Sequence, residues 1–264
     1  VFGGKLADPN FGAPGTNVVV LPSNRPRAMA PWWHTLIVLV ILLGASISQA
    51  NTLPETVARH GRVPLYASTM IFEWALVAFI WLAMRRRKVP MREVVGGRWQ
   101  TPEDFLFDVA IAAAFWITSV IVLGAVRYAL GMVSLNAAEN AKKVKEISQQ
   151  LDFLIPRSTG EVAAFVALVI TAGFCEEVIY RGYLQRQFHA LTGVVAVGVI
   201  VQGLLFGASH GYQGIKFMIT IAVFGMMFGI LAAWRKSLRP GMMAHAWQDL
   251  LSGVLLRFLP KLAR

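Results

Sequence analysis

Charge is what this sequence has least of. Only 15% of its 264 residues are Asp, Glu, Lys or Arg, against about 25% in a soluble domain. Hydrophobic residues make up 56%, and the mean hydropathy is +0.57. That shortage excludes an ordinary water-soluble domain and leaves a membrane protein. Acid is the scarcer sign: 14 acidic residues face 25 Lys and Arg, a net charge of +11. Such a balance could serve nucleic acid, but the basic residues gather where apolar runs end. Arg85, Arg86, Arg87 and Lys88 form one block, and Arg235, Lys236 and Arg239 form another. Positive clusters in those places are topology determinants at lipid headgroups, so the expected partner is the bilayer and not nucleic acid. The one cysteine, Cys175, excludes an intrachain disulfide. Beside two glutamates in an apolar run its thiolate is disfavoured, and it reads as a small packing residue. Internal repeats and low-complexity tracts are missing too.

What is present is a series of apolar runs, several long enough to cross a hydrocarbon core of ~30 Å. Seven spans are expected, at about 32–50, 64–84, 105–128, 161–181, 192–210, 215–234 and 241–259. All should be helical, because an open sheet leaves backbone groups unsatisfied in lipid. Trp32, Trp33, Trp81, Trp99 and Trp234 fall near the expected span ends, where interfacial aromatics belong. Between the third and fourth spans, 136–156 differs. Val144, Ile147, Leu151, Leu154 and Ile155 keep helical spacing opposite Lys142, Lys143, Lys145, Glu146, Gln149 and Gln150, and Pro156 follows. This predicts an amphipathic helix at the interface, as a surface connector or as a shaper of substrate access. The fold class is therefore an all-α polytopic transmembrane bundle of about seven spans with one interfacial helix.

Four parts are expected: a flexible Pro/Gly-rich arm at 1–31, N-terminal transmembrane helices at 32–130, the amphipathic connector at 131–160 and a transmembrane core at 161–259. The first apolar run reads as a retained helix and not a signal peptide, because the arm before it is too long for an n-region. Arg25 and Arg27, the 85–104 segment, and turns at 182–191 and 235–240 all come out on one side, the cytoplasmic one.

Polar residues inside apolar spans mark function by default. Glu176 and Glu177 follow a long apolar run, and Arg181 lies four residues after Glu177, so those two side chains meet on one helix face. Glu176 points roughly 100° away round the helix and has no local cation. One glutamate is anchored and the other is available as a general base. A helix–helix ion-pair network or a proton relay would also account for this string alone. On the next span Phe206 and His210 share a face, with Gly203 and Gly207 permitting close helix approach. On the last, His245 and Asp249 share another. A lone intramembrane histidine is more often a packing residue, and a His–Asp pair can satisfy itself. Jointly the three elements make a site.

Amide hydrolysis needs an activated water and oxyanion stabilisation. Glu176 with His210 could polarise the water. His245 and Asp249 could serve the oxyanion, with Asp249 fixing the His245 tautomer. Alternatively Glu176, His210 and His245 could hold Zn²⁺, a two-histidine, one-carboxylate set. A proton-coupled transporter is disfavoured by the absence of repeat symmetry. One geometric difficulty stands. With a turn near Leu191, Glu177 lies 191 − 177 = 14 residues before it and His210 lies 19 after it, a depth difference of roughly 7–8 Å. His245, however, starts its helix on the turn side, so straight full-length spans would keep it away. Either a helix is short or broken, or the motif residues sit closer to mid-membrane than these boundaries put them.

In order and spacing, Glu176-Glu177-x-x-x-Arg181, Phe206-x-x-x-His210 and His245-x-x-x-Asp249 resemble the three motifs of the CPBP family. This family holds the CAAX prenyl proteases of the Ras-converting type and the bacteriocin-processing or immunity-associated membrane proteins called Abi. The resemblance covers about 161–256. It implies an intramembrane endopeptidase, glutamate- or metal-dependent, acting on a membrane-anchored or lipidated polypeptide in a bacterial cytoplasmic membrane, with the N-terminus inside. By motif position Glu176 would activate water with His210, Glu177 and Arg181 would be structural, and His245 and Asp249 would stabilise the oxyanion or ligate. The third motif often ends in Asn, and Asp249 removes that amide donor. The alternative on the same scaffold is a non-catalytic membrane adaptor or immunity protein.

Overall fold

The computed structural model describes residues 27–262 and shows ten helices and no strands among them. Most of the expected arm, with Arg25, lies outside the described residues. The last two residues before Pro31 are not arm-like: Met29 and Ala30 are buried, and their N–H groups donate to Gln187 Oε1 at 2.9 and 3.2 Å.

Two long helices open the bundle, α1 (Trp32–His60) and α2 (Arg62–Arg86). A short α3 (Met91–Val95) follows. The next helix, α4 (Pro102–Ala129), starts on a capping box in which Thr101 and Asp104 satisfy each other's backbone N–H, with Pro102 at the first position. Asn136 caps α5 (Ala137–Gln150), the expected amphipathic helix, which ends before a 3-10 turn at Asp152–Leu154 instead of running on to Pro156. Its Ile147 packs with Leu151 and Leu154 around Met132 and Phe217.

A second capping box, Ser158 with Glu161, starts α6 (Thr159–Glu176). Nine π-helical residues, Glu177–Gln185, continue it without a break into α7 (Arg186–Thr192). The turn expected at 182–191 is therefore helix, buried from Gly182 to Gln185. The chain reverses instead at Gly193, whose φ of +76° favours glycine. Then come α8 (Val195–Ala208), α9 (Ile215–Arg235) and α10 (Arg239–Leu262).

Each of the seven expected intervals holds a helix, although in 192–210 it covers only Val195–Ala208. Five stretches are long and apolar enough to cross a membrane: Trp32–Gln49, Arg62–Arg86, Pro102–Ala129, Thr159–Thr192 and Ile215–Arg235. With 14 residues, α8 reaches about 21 Å at ~1.5 Å per residue, short of a full crossing. The outward faces stay apolar, with Val40, Ile71, Ile121 and Ile230 each more than 60% exposed. Such faces are stable only against lipid, and the protein is an integral membrane protein.

The short helix resolves part of the depth difficulty, and the start of α10 resolves the rest. Measured from Gly193, Glu177 is 193 − 177 = 16 residues before the turn and His210 is 210 − 193 = 17 after it. The α9–α10 turn is not level with Gly193. Leu238 N–H and Ser237 Oγ donate to Val95 O at 2.9 and 3.2 Å, and Gly182 lies against Val94 and Leu238. Thus α10 begins beside Gly182, five residues beyond Glu177 (182 − 177), and His245, six residues into it (245 − 239), returns to the depth of Glu177. Gly173 completes the approach, since a Cβ there would lie 2.9 Å from Met242 O on α10.

Arg235 and Arg239 do more than mark a membrane surface. They sit 2.8 and 2.9 Å from the two oxygens of Asp108, a fully buried carboxylate on α4 that also accepts from Trp99 Nε1 at 2.8 Å. Asp108 thereby ties α4 to the turn that sets the depth of α10. Asp108→Ala strands both guanidinium groups and is expected to cost about 3 kcal/mol or more, seen as a lower thermal-unfolding midpoint in detergent.

Candidate active site

The local cause of the site is the change from α to π winding between Glu176 and Glu177. Single π turns inside helices are uncommon and favour functional positions. Here the π segment runs from Glu177 to Gln185, and every residue in it is buried. It directs Arg181 and Gln185 at α9, where Arg181 Nη2 donates to Gly225 O at 3.3 Å and Gln185 Nε2 to Gly229 O at 2.9 Å.

The expected Glu177–Arg181 pair is present, with Oε1 and Nη1 2.9 Å apart and both side chains sealed from outside. Aromatic rings enclose the guanidinium, whose carbon is 4.4 Å from the Phe206 ring centre and 4.8 Å from that of Phe228. Such cation–π contacts offset part of the burial of charge.

His245 is the centre of the cluster. Its Nδ1 is 3.1 Å from Glu177 Oε1, while Nε2 faces Glu176 Oε2 at 3.4 Å and Asp249 Oδ2 at 3.6 Å. The two adjacent glutamates therefore flank one imidazole from opposite sides. Phe228 stacks on the ring at 5.2 Å between centroids, and Phe206 meets it edge-on at 5.8 Å. The tautomer of His245 was expected to depend on Asp249. In the structure Glu177 holds Nδ1, and Asp249 sits on the other side of the ring. Glu176, which makes no ion pair with Arg181, gains His245 from α10.

His210 stands at the end of α8, where Nδ1 lies 2.8 Å from Phe206 O. A carbonyl only accepts, so Nδ1 carries the proton. Tyr180 donates to Ser209 Oγ at 2.8 Å, and Ser209 donates to the same Phe206 carbonyl at 2.8 Å. Glu176, Tyr180, Ser209, His210 and Tyr212 line a crevice of about 90 Å³, together with Glu73 of α2. All seven expected site residues thus fall in one connected cluster. Glu176 and His210 front the crevice, while Glu177, Arg181, Phe206 and His245 lie behind it.

The chemistry of the three motifs now has a matching family. Residues 158–251 match the family described as type II CAAX prenyl endopeptidase, Rce1-like. This segment belongs to that family. The match supports a CAAX-type intramembrane endopeptidase in general terms, and the matched stretch contains the π segment and all three motifs. No curated protein and no solved structure matches the chain significantly. The zinc set of Glu176, His210 and His245 does not fit this arrangement. Among the described residues no three His, Cys, Asp or Glu side chains are placed to hold a metal ion. Both nitrogens of His245 already face carboxylates.

Sequence reasoning missed Glu73 and Asp108. Each is a carboxylate within an apolar span, the signal that singled out Glu176, but neither sits in a motif. Arg181→Met should leave Glu177 buried without its cation, costing about 3–5 kcal/mol. The check is thermal unfolding and membrane yield, both of which are expected to fall. Glu177→Ala, by freeing Arg181 and His245 together, should lose at least as much.

Proposed function

We propose that the chain hydrolyses a peptide bond in a membrane-anchored or lipidated polypeptide, using a water held between Glu176 and His210. The observation that carries this reading is the division of labour between the two glutamates. Glu177 is 1% accessible and salt-bridged, whereas Glu176 is 17% accessible and fronts the crevice.

With the proton on Nδ1, neutral His210 offers Nε2 as an acceptor. A water with its hydrogens on Glu176 and Nε2 turns an oxygen lone pair toward the peptide carbonyl carbon. Glu176 takes the proton as the C–O bond forms, and returns it to the scissile nitrogen as the C–N bond breaks. His245, held through Nδ1 by Glu177, donates from Nε2 to the oxyanion when in its imidazolium form. An ionised carboxylate at 249 only accepts, so the oxyanion donor of the pair is His245, whose one Nε2 proton faces Glu176 and Asp249 until the oxyanion forms.

Orientation follows from where charge collects. The Arg85–Lys88 block, α3 and the Arg235–Arg239 turn share one end of the bundle, where Arg186 Nη2 donates to Val94 O at 3.0 Å and Met29 and Ala30 dock on Gln187. The positive-inside rule supports placing that end, and with it the N-terminal side of α1, in the cytoplasm. A bacterial cytoplasmic membrane suits this arrangement. The four-part division of the chain and the interfacial seating of α5 belong to the same reading.

In liposomes, with a prenylated CAAX peptide as substrate, Glu176→Gln should reduce kcat/KM by at least about 100-fold. Its unfolding midpoint should remain at or above that of wild type. Undiminished cleavage by the variant contradicts the mechanism.

A further inference from the structure

Three acidic residues are buried among the described residues, and two have their cations. Asp108 has Arg235 and Arg239, and Glu177 has Arg181. Glu73 has none. It is 6% exposed, no ion pair reaches it, and its Oε2 is buried without a hydrogen-bond partner. Nothing in its own helix calls for it, since α2 around it reads Met70-Ile71-Phe72-Glu73-Trp74-Ala75-Leu76. Packing holds it in place: the neighbouring Trp74 stacks on Phe174, two residues before Glu176, with ring centres 5.3 Å apart. Glu73 and Glu176 thus face one crevice from different helices, and α1 adds Ser46 and Gln49 to the α2 side.

An unpaired carboxyl in an apolar span destabilises the free protein. Its retention against that cost points to a hydrogen-bond donor that arrives from outside. The donors a peptide substrate brings into the crevice are its backbone N–H groups. From this juxtaposition we infer that Glu73 is a substrate-binding carboxyl, accepting a backbone N–H of the peptide and so fixing the scissile bond against the water at Glu176. This rests on the reading of the crevice as the place of hydrolysis. Glu73 moves no proton in the reaction. It supplies a second anchor, and the peptide lies between α2 and the π segment.

A structural carboxylate and a substrate-binding one respond oppositely to removal. Losing a group that holds the fold lowers stability, while losing an unsatisfied buried group raises it. The test uses full-length Glu73→Leu and Glu73→Gln in liposomes with the prenylated CAAX peptide, recording KM, kcat and the unfolding midpoint. For Glu73→Leu the expected result is KM raised about tenfold, the worth of one buried hydrogen bond. Its kcat should change by less than about threefold, and its midpoint should rise. Glu73→Gln keeps an acceptor oxygen and should fall between Glu73→Leu and wild type in KM. If KM is unchanged in both variants while wild type cleaves, the inference is overturned and the hydrolytic reading stands. A lowered midpoint in both, with kcat lost in proportion, makes Glu73 structural and also overturns it. Failure of the wild type itself to cleave removes the hydrolytic reading instead. In that case the inference is decided by binding of the same peptide to wild type and to Glu73→Leu. Equal affinity overturns it, and weaker binding by the variant upholds it.

Discussion

The buried ion pair between Glu177 and Arg181 is the interaction on which the rest of the site depends. Removing two charges from water costs several kcal/mol per ion, and the surroundings are arranged to offset that cost. Phe206 and Phe228 face the guanidinium, Gly225 supplies a carbonyl, and His245 Nδ1 takes up the Glu177 oxygen that Arg181 also contacts. Because both ions are fixed, His245 is fixed, and Nε2 is left facing Glu176 and Asp249. A single pair on one turn thereby orients residues contributed by α8, α9 and α10.

The pair requires unusual geometry of its host. The π segment, the short α8 and the α10 that starts beside Gly182 each depart from a bundle of straight, full-length spans. Together they bring Glu177, His210 and His245 to one depth. The Asp108 contacts hold the α9–α10 turn where this requires. The geometry of the central cluster is therefore supported from the basic end of the bundle.

Much of this was legible in the sequence. Apolar runs place helices reliably because lipid leaves the backbone few alternatives, and intramembrane carboxylates and histidines point to function. The Glu177–Arg181 pairing followed from i,i+4 spacing alone. The rest was hidden for physical reasons. Helical winding does not show in hydropathy, so the π segment read partly as a turn. Contacts of His245 with Glu177 depend on where α10 begins, which is set by α3, a five-residue helix with no hydrophobic period of its own. Glu73 and Asp108 were visible as isolated carboxylates, but their meaning depends on which helix faces them: arginines for one, an empty acceptor position for the other.

The account's central claim is that this cluster cuts peptide bonds in membrane proteins, and Glu176 is the atom-level point at which it can be tested in cells. The measurement is a comparison of protein termini in membranes from cells making the wild type or Glu176→Gln at equal abundance. The account predicts termini that appear with the wild type alone and belong to membrane-anchored or lipidated polypeptides. Identical sets of termini under several growth conditions would contradict it and favour a non-catalytic role for the same scaffold.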